Sequence, residues 1–190
     1  MSNVDHCPDD DVEMVKRVYG GNIKISGCGM CSAVMAVHYL LPEAKFELWD
    51  AIDLNYECHA NGTWGTEMEN YGEPLAKKFN LDYKPSNSDE ELIDCLKTGG
   101  VVIINVGGDQ KDKGYTGVFS HGGHFILAIS VERDGRIVIL DPAFTEDRYD
   151  EEGRKGKVEV KYGKLCYTTI DVLREDSSNR DPGYFLFWRK

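Results

Sequence analysis

A chain of 190 residues that is 41% hydrophobic is long enough to bury a core and suits one domain. Its net charge of −11 argues against nucleic acid, whose phosphates call for Lys and Arg, and against anionic membrane surfaces. No apolar run approaches the ~18 residues of a membrane span, and six cysteines in this length are too sparse for a disulfide scaffold.

Residues 1–190 read as a single domain in which 1–11, with the run Asp9-Asp10-Asp11, form a polar tail. The N-terminus has no basic start followed by an apolar region, so no secretory signal is expected. The expected location is the cytoplasm, or outside by a route that needs no signal. A short helix is predicted at Val12–Val18, stopped by Gly20-Gly21. Residues 28–41 have helical length and a broad apolar face, the mark of a helix buried on most sides. Pro42 opens a second predicted helix with Phe46, Leu48, Trp49, Ile52 and Tyr56 inward. Thr66-Glu67-Met68-Glu69 and Ser88-Asp89-Glu90-Glu91 both fit a capping box and predict helices to about Phe79 and Lys97. Residues 1–100 are thus mostly helical by expectation.

The remainder changes character. Val101–Val106 is a short β-branched run bounded by glycines and reads as a buried strand. Phe125–Val131 and Arg136–Leu140 form a predicted hairpin around Asp134-Gly135. Val158–Lys161 and Tyr184–Trp188 are predicted later strands. Helices first and antiparallel strands second give an α+β fold with the helix at 28–41 packed on the sheet.

Ser26-Gly27-Cys28-Gly29-Met30-Cys31-Ser32 places Cys28 at the first turn of the apolar helix. Helix N-termini favour negative charge, so a thiol there tends toward the nucleophilic thiolate. The flanking glycines are expected to keep side chains away from the sulfur. His124 precedes one strand of the predicted hairpin and Asp141 follows the other, which makes a contact between them geometrically cheap. A cysteine, a histidine base and a carboxylate that orients it are the parts of a thiol hydrolase. Cys31 and His121 are the rival nucleophile and base. Cys28-Gly29-Met30-Cys31 is also a redox-type spacing, but it lacks the βαβ context of a disulfide exchanger, and no second such pair completes a zinc site. No metal or organic cofactor is expected. Cys95 and Cys166 read as core residues, His38 as a satisfied core histidine, and the glycine-rich stretch Gly107–Gly123 as a mobile cleft wall or a flexible surface loop.

The motifs Ser26–Ser32, Gly65-Thr66, Gly123-His124-Phe125, Asp134-Gly135 and Asp141-Pro142 occur in an order that resembles papain-like cysteine peptidases of the bacteriocin-processing type. These trim double-glycine leaders, and similar domains occur in clostridial proteins and phage cell-wall lysins. The resemblance runs from Tyr19 to Pro142 and implies Cys28 as nucleophile, His124 as base and Asp141 as its orienting group. Met30-Cys31 stands where the family usually has Pro-Thr. The family's oxyanion-stabilising Gln is replaced by Asn22, whose amide would form the oxyanion hole with the Cys28 N–H. The implied activity is amide hydrolysis on a peptide or on the stem peptide of peptidoglycan. A degenerate, peptide-binding member is the alternative. The sequence does not speak to oligomeric state.

Overall fold

The computed structural model describes residues 17–18, 22–62 and 65–190. Of the helix predicted at Val12–Val18, only Arg17 and Val18 fall among them, and the acidic tail lies outside. The first described helix is a single turn, α1 (Ile23–Ser26), capped by the Asn22 side chain, whose oxygen accepts from the Lys24 N–H at 2.8 Å. It leads through Gly27 into α2 (Cys28–Leu40). Then follow α3 (Leu48–Glu57), the two-residue strands β1 (Asn61–Gly62) and β2 (Gly65–Thr66), α4 (Met68–Phe79), β3 (Leu81–Ser86), α5 (Asp89–Lys97) and β4 (Val101–Val106). The chain continues as β5 (His124–Val131), β6 (Ile137–Leu140), β7 (Glu159–Lys161), β8 (Leu165–Thr168), α6 (Ile170–Asp176) and β9 (Tyr184–Arg189).

Seven strands form one sheet in the order β3-β9-β4-β5-β6-β8-β7, with every neighbouring pair antiparallel. Alternation in the central strands sends one set of side chains to each face. Val101, Ile103, Phe125, Leu127, Phe185 and Phe187 meet Ala33, Val37, Phe46, Ile52 and Leu75 from α2, α3, α4 and the turn before α3. Val102, Ile104, Ile126, Ala128 and Leu186 meet Leu92 and Leu173 from α5 and α6 on the opposite face. The strands therefore lie in a layer covered on both sides, and α2, flanked by other helices, is buried along most of its length.

Several expectations need correction. The sheet does not come only from the second half, because β3 supplies one of its edges. Lys84 and Pro85 within Leu81–Ser86 obscured that strand, yet both residues suit an edge that must not pair further. The capping box at Thr66 does not form: α4 starts at Met68 after Glu67, which makes no side-chain cap, and Thr66 belongs to β2. Ser88 does cap α5 by accepting from the Glu91 N–H, while the Glu91 carboxylate is taken by Lys84 and Ser86 instead of reaching back. The second helix begins at Leu48, where Glu47 and Asp50 satisfy each other's backbone N–H groups. Trp49 and Tyr56 are 43% and 47% exposed, so they do not line its inner face.

The stretch from Gly107 to Gly123 is anchored at its middle. The Asp176 carboxylate, fully buried at the end of α6, accepts from the Val118 and Phe119 N–H groups at 2.7 and 3.0 Å and from the Tyr115 hydroxyl at 3.0 Å. Arg154 adds a bond from its Nε to the Gly117 carbonyl at 2.8 Å. Asp176→Ala leaves buried N–H groups without an acceptor and is expected to cost about 2–4 kcal/mol. Chemical denaturation would read that loss, and native-state hydrogen exchange would show Val118 and Phe119 losing protection first.

Candidate active site

The thiol of Cys28 opens α2, where the first N–H groups of the helix have no helical acceptor. Gly27 and Gly29 are required by close approach. A methyl at Gly27 would lie 2.5 Å from the Ile23 carbonyl oxygen, and one at Gly29 would lie 2.6 Å from Cβ of Thr66. The two-residue strand Gly65-Thr66 thus presses against the start of α2. One helical turn beyond Cys28, the buried Ser32 hydroxyl donates to the Phe125 carbonyl at 3.2 Å. That bond ties the helix bearing Cys28 to the strand bearing His124.

His124 begins β5 opposite Val106, and Leu140 pairs with Leu127 near the same end of the sheet. Asp141, the next residue after β6, therefore emerges close to the imidazole. Oδ1 of Asp141 and Nε2 of His124 are 2.7 Å apart, and both side chains are buried. A carboxylate offers no proton, so Nε2 carries the hydrogen. The other ring nitrogen is left for the Cys28 thiol, whose anionic form the His124 side chain favours.

The charges follow from these contacts. Burial pushes the Cys28 thiol up, but the His124 hydrogen bond and charge, with the backbone N–H groups of Phe125 and Gly29, outweigh it and hold the thiol below its ordinary value. Burial alone would lower His124. Its bonds to Asp141 and Cys28 win and push it up to about 9. Burial works against the Asp141 anion too, yet His124, Arg148 and the Ala143 N–H keep the carboxyl below the usual range. The three contacts thus favour alternating charge along Cys28, His124 and Asp141, the last two buried and the thiol half-buried beside them.

The sequence reading missed two members of this chain. The Tyr149 hydroxyl donates to Asp141 Oδ2 at 2.9 Å, and the Arg148 Nε lies 3.5 Å from the same oxygen. Ala143 donates its N–H to Oδ1 at 2.8 Å. Arg148 and Tyr149 sit in the charged run Glu146–Glu152, which has neither helical nor strand periodicity and reads as a solvated loop. A lone aromatic inside such a run was the available signal.

The rival residues lie elsewhere or play other parts. His121 is exposed, with Nδ1 3.1 Å from Asp109 and Nε2 3.0 Å from Glu151. His38 bonds the Phe46 carbonyl at 2.9 Å, and Cys95 and Cys166 are buried in the core. Cys31 follows one turn into α2 and packs at the margin of the core. Asn22 stands at the cap of α1, six residues before Cys28, with its side-chain oxygen committed to Lys24. Among the described residues, no group of three or more His, Cys, Asp or Glu side chains is placed to hold a metal ion, and no helix is long and apolar enough to cross a membrane.

A similar arrangement of helices on an antiparallel sheet occurs in solved structures. A C39-like peptidase from Bacillus anthracis superposes with a TM-score of 0.52 over 86% of this chain and 88% of its own, at 16% identity. The chain has the papain-like C39 peptidase fold. The peptidase domain of Streptococcus ComA, a bifunctional ABC transporter involved in a quorum-sensing pathway, matches with a TM-score of 0.50 over 86% of this chain and 91% of its own, at 14% identity. No protein-family profile and no curated protein matches the sequence.

Replacing Asp141 with Asn removes the charge that holds the imidazolium, so the His124 pKa should fall from about 9 by about 1–3 pH units. The thiolate then loses its partner at lower pH, and the midpoint for Cys28 alkylation by iodoacetamide should move upward toward that of an ordinary thiol. Alkylation rates followed from pH 5 to 10 by mass spectrometry test this.

Proposed function

We propose that this protein is a cysteine peptidase that hydrolyses an amide bond in a peptide. The observation that carries the reading is a half-buried Cys28 at a helix N-terminus beside the buried His124–Asp141 pair, on a fold shared with C39 peptidase domains. Cys28 Sγ attacks the carbonyl carbon and forms a tetrahedral oxyanion. His124 holds the proton that the leaving amine needs and delivers it as the C–N bond breaks, giving a thioester on Cys28 and a free amine. Neutral His124 then takes a proton from water, whose oxygen attacks the thioester, and the acid product leaves with the thiolate–imidazolium pair restored. Asp141 orients the imidazole and stabilises its charge. The Cys28 N–H and the Asn22 amide nitrogen serve as oxyanion donors, the side-chain oxygen of Asn22 being engaged by Lys24.

Incubation with a mixed peptide library and, in parallel, with peptidoglycan stem peptides tests the reading and separates the two substrate classes. Mass spectrometry should find new termini that are absent with Cys28→Ala. Turnover should rise with pH as the thiolate forms and fall again near about 9, as His124 loses the proton the leaving amine needs. Asn22→Ala should lower kcat by about 10²–10³ with little change in KM if its amide meets the oxyanion. Intact substrates in both arms, with Cys28 alkylated no faster than Cys58, would leave a peptide-binding domain instead.

A further inference from the structure

Arg180 is a cation without an assigned partner. Its Nε is buried with no hydrogen-bond acceptor, and among the described residues its guanidinium forms no ion pair. Other arginines are committed: Arg17 to Asp53, Arg136 to Asp134 and Glu159, Arg148 to Asp141, Arg154 to Glu151, and Arg174 to Asp89 and Asp171. Arg189 donates to the Leu40 carbonyl, and Arg133 stands exposed on the turn between β5 and β6. A buried Nε–H left without an acceptor on a half-buried guanidinium is costly, in a protein with 33 acidic side chains that could have paired it.

Its position gives the cost a use. An Arg180 Nη2 packs against Gly123, where an added methyl would lie 2.7 Å from it, and Gly123 immediately precedes His124. Arg180 also lines a cavity of about 280 Å³ together with Asn87, Ser177, Ser178, Asp181, Tyr184 and Arg174, the last already paired with Asp89 and Asp171. Tyr184 pairs with Ile104 and His124 with Val106, so cavity and imidazole lie at the same end of the sheet. Asp181 is the cavity's carboxylate, and it already accepts from the Asn87 amide at 2.7 Å. The Ser177 hydroxyl donates to the Leu173 carbonyl at 2.7 Å, the Ser178 hydroxyl is bonded to Gln110, and the Tyr184 hydroxyl to Asp89 at 2.9 Å. The cavity thus offers one uncommitted group, a planar fork of N–H donors.

Building on the peptidase reading, we propose that Arg180 is a specificity residue: with its cavity it binds a carboxylate of the peptide substrate close to the scissile bond. A carboxylate matches the fork in charge, planarity and two-point spacing. A space of this volume suits a single acidic side chain or a free C-terminus, and the choice between these two is a matter for experiment.

Three alkylating probes test the proposal on the intact protein: iodoacetyl-glutamine amide, which is neutral; iodoacetyl-glutamate amide, with a side-chain carboxylate; and iodoacetyl-glutamine with a free C-terminus. One carboxylate probe should label Cys28 about tenfold faster than the neutral one. Which of the two is faster identifies the source. Arg180→Gln should erase that preference and leave the neutral probe's rate unchanged, and Arg180→Lys should restore part of it. Equal rates for all three probes, or a preference that survives Arg180→Gln and so belongs to the His124 charge, would overturn the proposal. A binding measurement keeps the test independent of thiol chemistry. In Cys28→Ser protein, N-acetyl-glutamate amide or N-acetyl-glutamine should shift the Arg180 Nε–H resonance saturably while N-acetyl-glutamine amide does not. Absence of any such shift overturns the subsite. Slow labelling of Cys28 by the neutral probe together with a saturable shift would sustain the subsite and defeat the peptidase reading alone.

Discussion

Burying the Asp141 carboxylate is the constraint on which the rest of the site depends. An anion withdrawn from water must be met by donors on every side or it will take up a proton. Here the donors come from separated parts of the chain: His124 at the start of β5, the Ala143 N–H in the turn that follows β6, and the Tyr149 hydroxyl beyond it, with the Arg148 charge alongside. Holding those groups in place fixes the otherwise irregular segment after β6 against the sheet. Arg154 in the same segment then reaches Gly117, and Asp176 captures Val118 and Phe119. One buried charge is in this way connected to the ordering of the whole approach to His124.

The nucleophile's side of the site is held by shape more than by charge. Gly27 and Gly29 let backbone and Thr66 close in on the start of α2 at separations that no larger residue permits. Ser32 then sets the helix against the Phe125 carbonyl. The thiol is placed by contacts on three sides, and the two backbone N–H groups that stabilise its anion belong to Gly29 and Phe125, both part of those contacts. Placement and activation come from the same few residues, so a change that loosens one weakens the other.

Much of this was legible in the sequence, for physical reasons that differ by element. The apolar run after Cys28, the β-branched run at Val101–Val106 and the Asp134-Gly135 turn carry strong local signals, and they became α2, β4 and the β5–β6 hairpin. Cys28, His124 and Asp141 stood out because each borders such an element. What escaped had weak local signals. Strand β3 carries Lys84 and Pro85, which suit an edge but not a strand template, and β8 and α6 are only four and seven residues long. Tyr149 and Arg148 earn their places through tertiary contacts alone, inside a run of charges that any local rule assigns to solvent. The misplaced helix start at Thr66 has the same origin: the Ser/Thr-x-x-Glu pattern was present, but packing against Gly29 claimed the threonine for β2.

The sheet order carries a consequence for how the molecule comes into being. Strand β9 lies between β3 and β4, and Phe185 and Phe187 from it fill the core that α2 rests on. Until Tyr184–Arg189 has left the ribosome, β3 has no neighbour and β4 has only β5, so an earlier nascent chain carries a sheet with a missing middle. Contacts of such long sequence separation make for slow, late closure. The helix that carries the thiol rests on Phe185 and Phe187, so its seat on the sheet is completed by one of the last strands of the chain to be made.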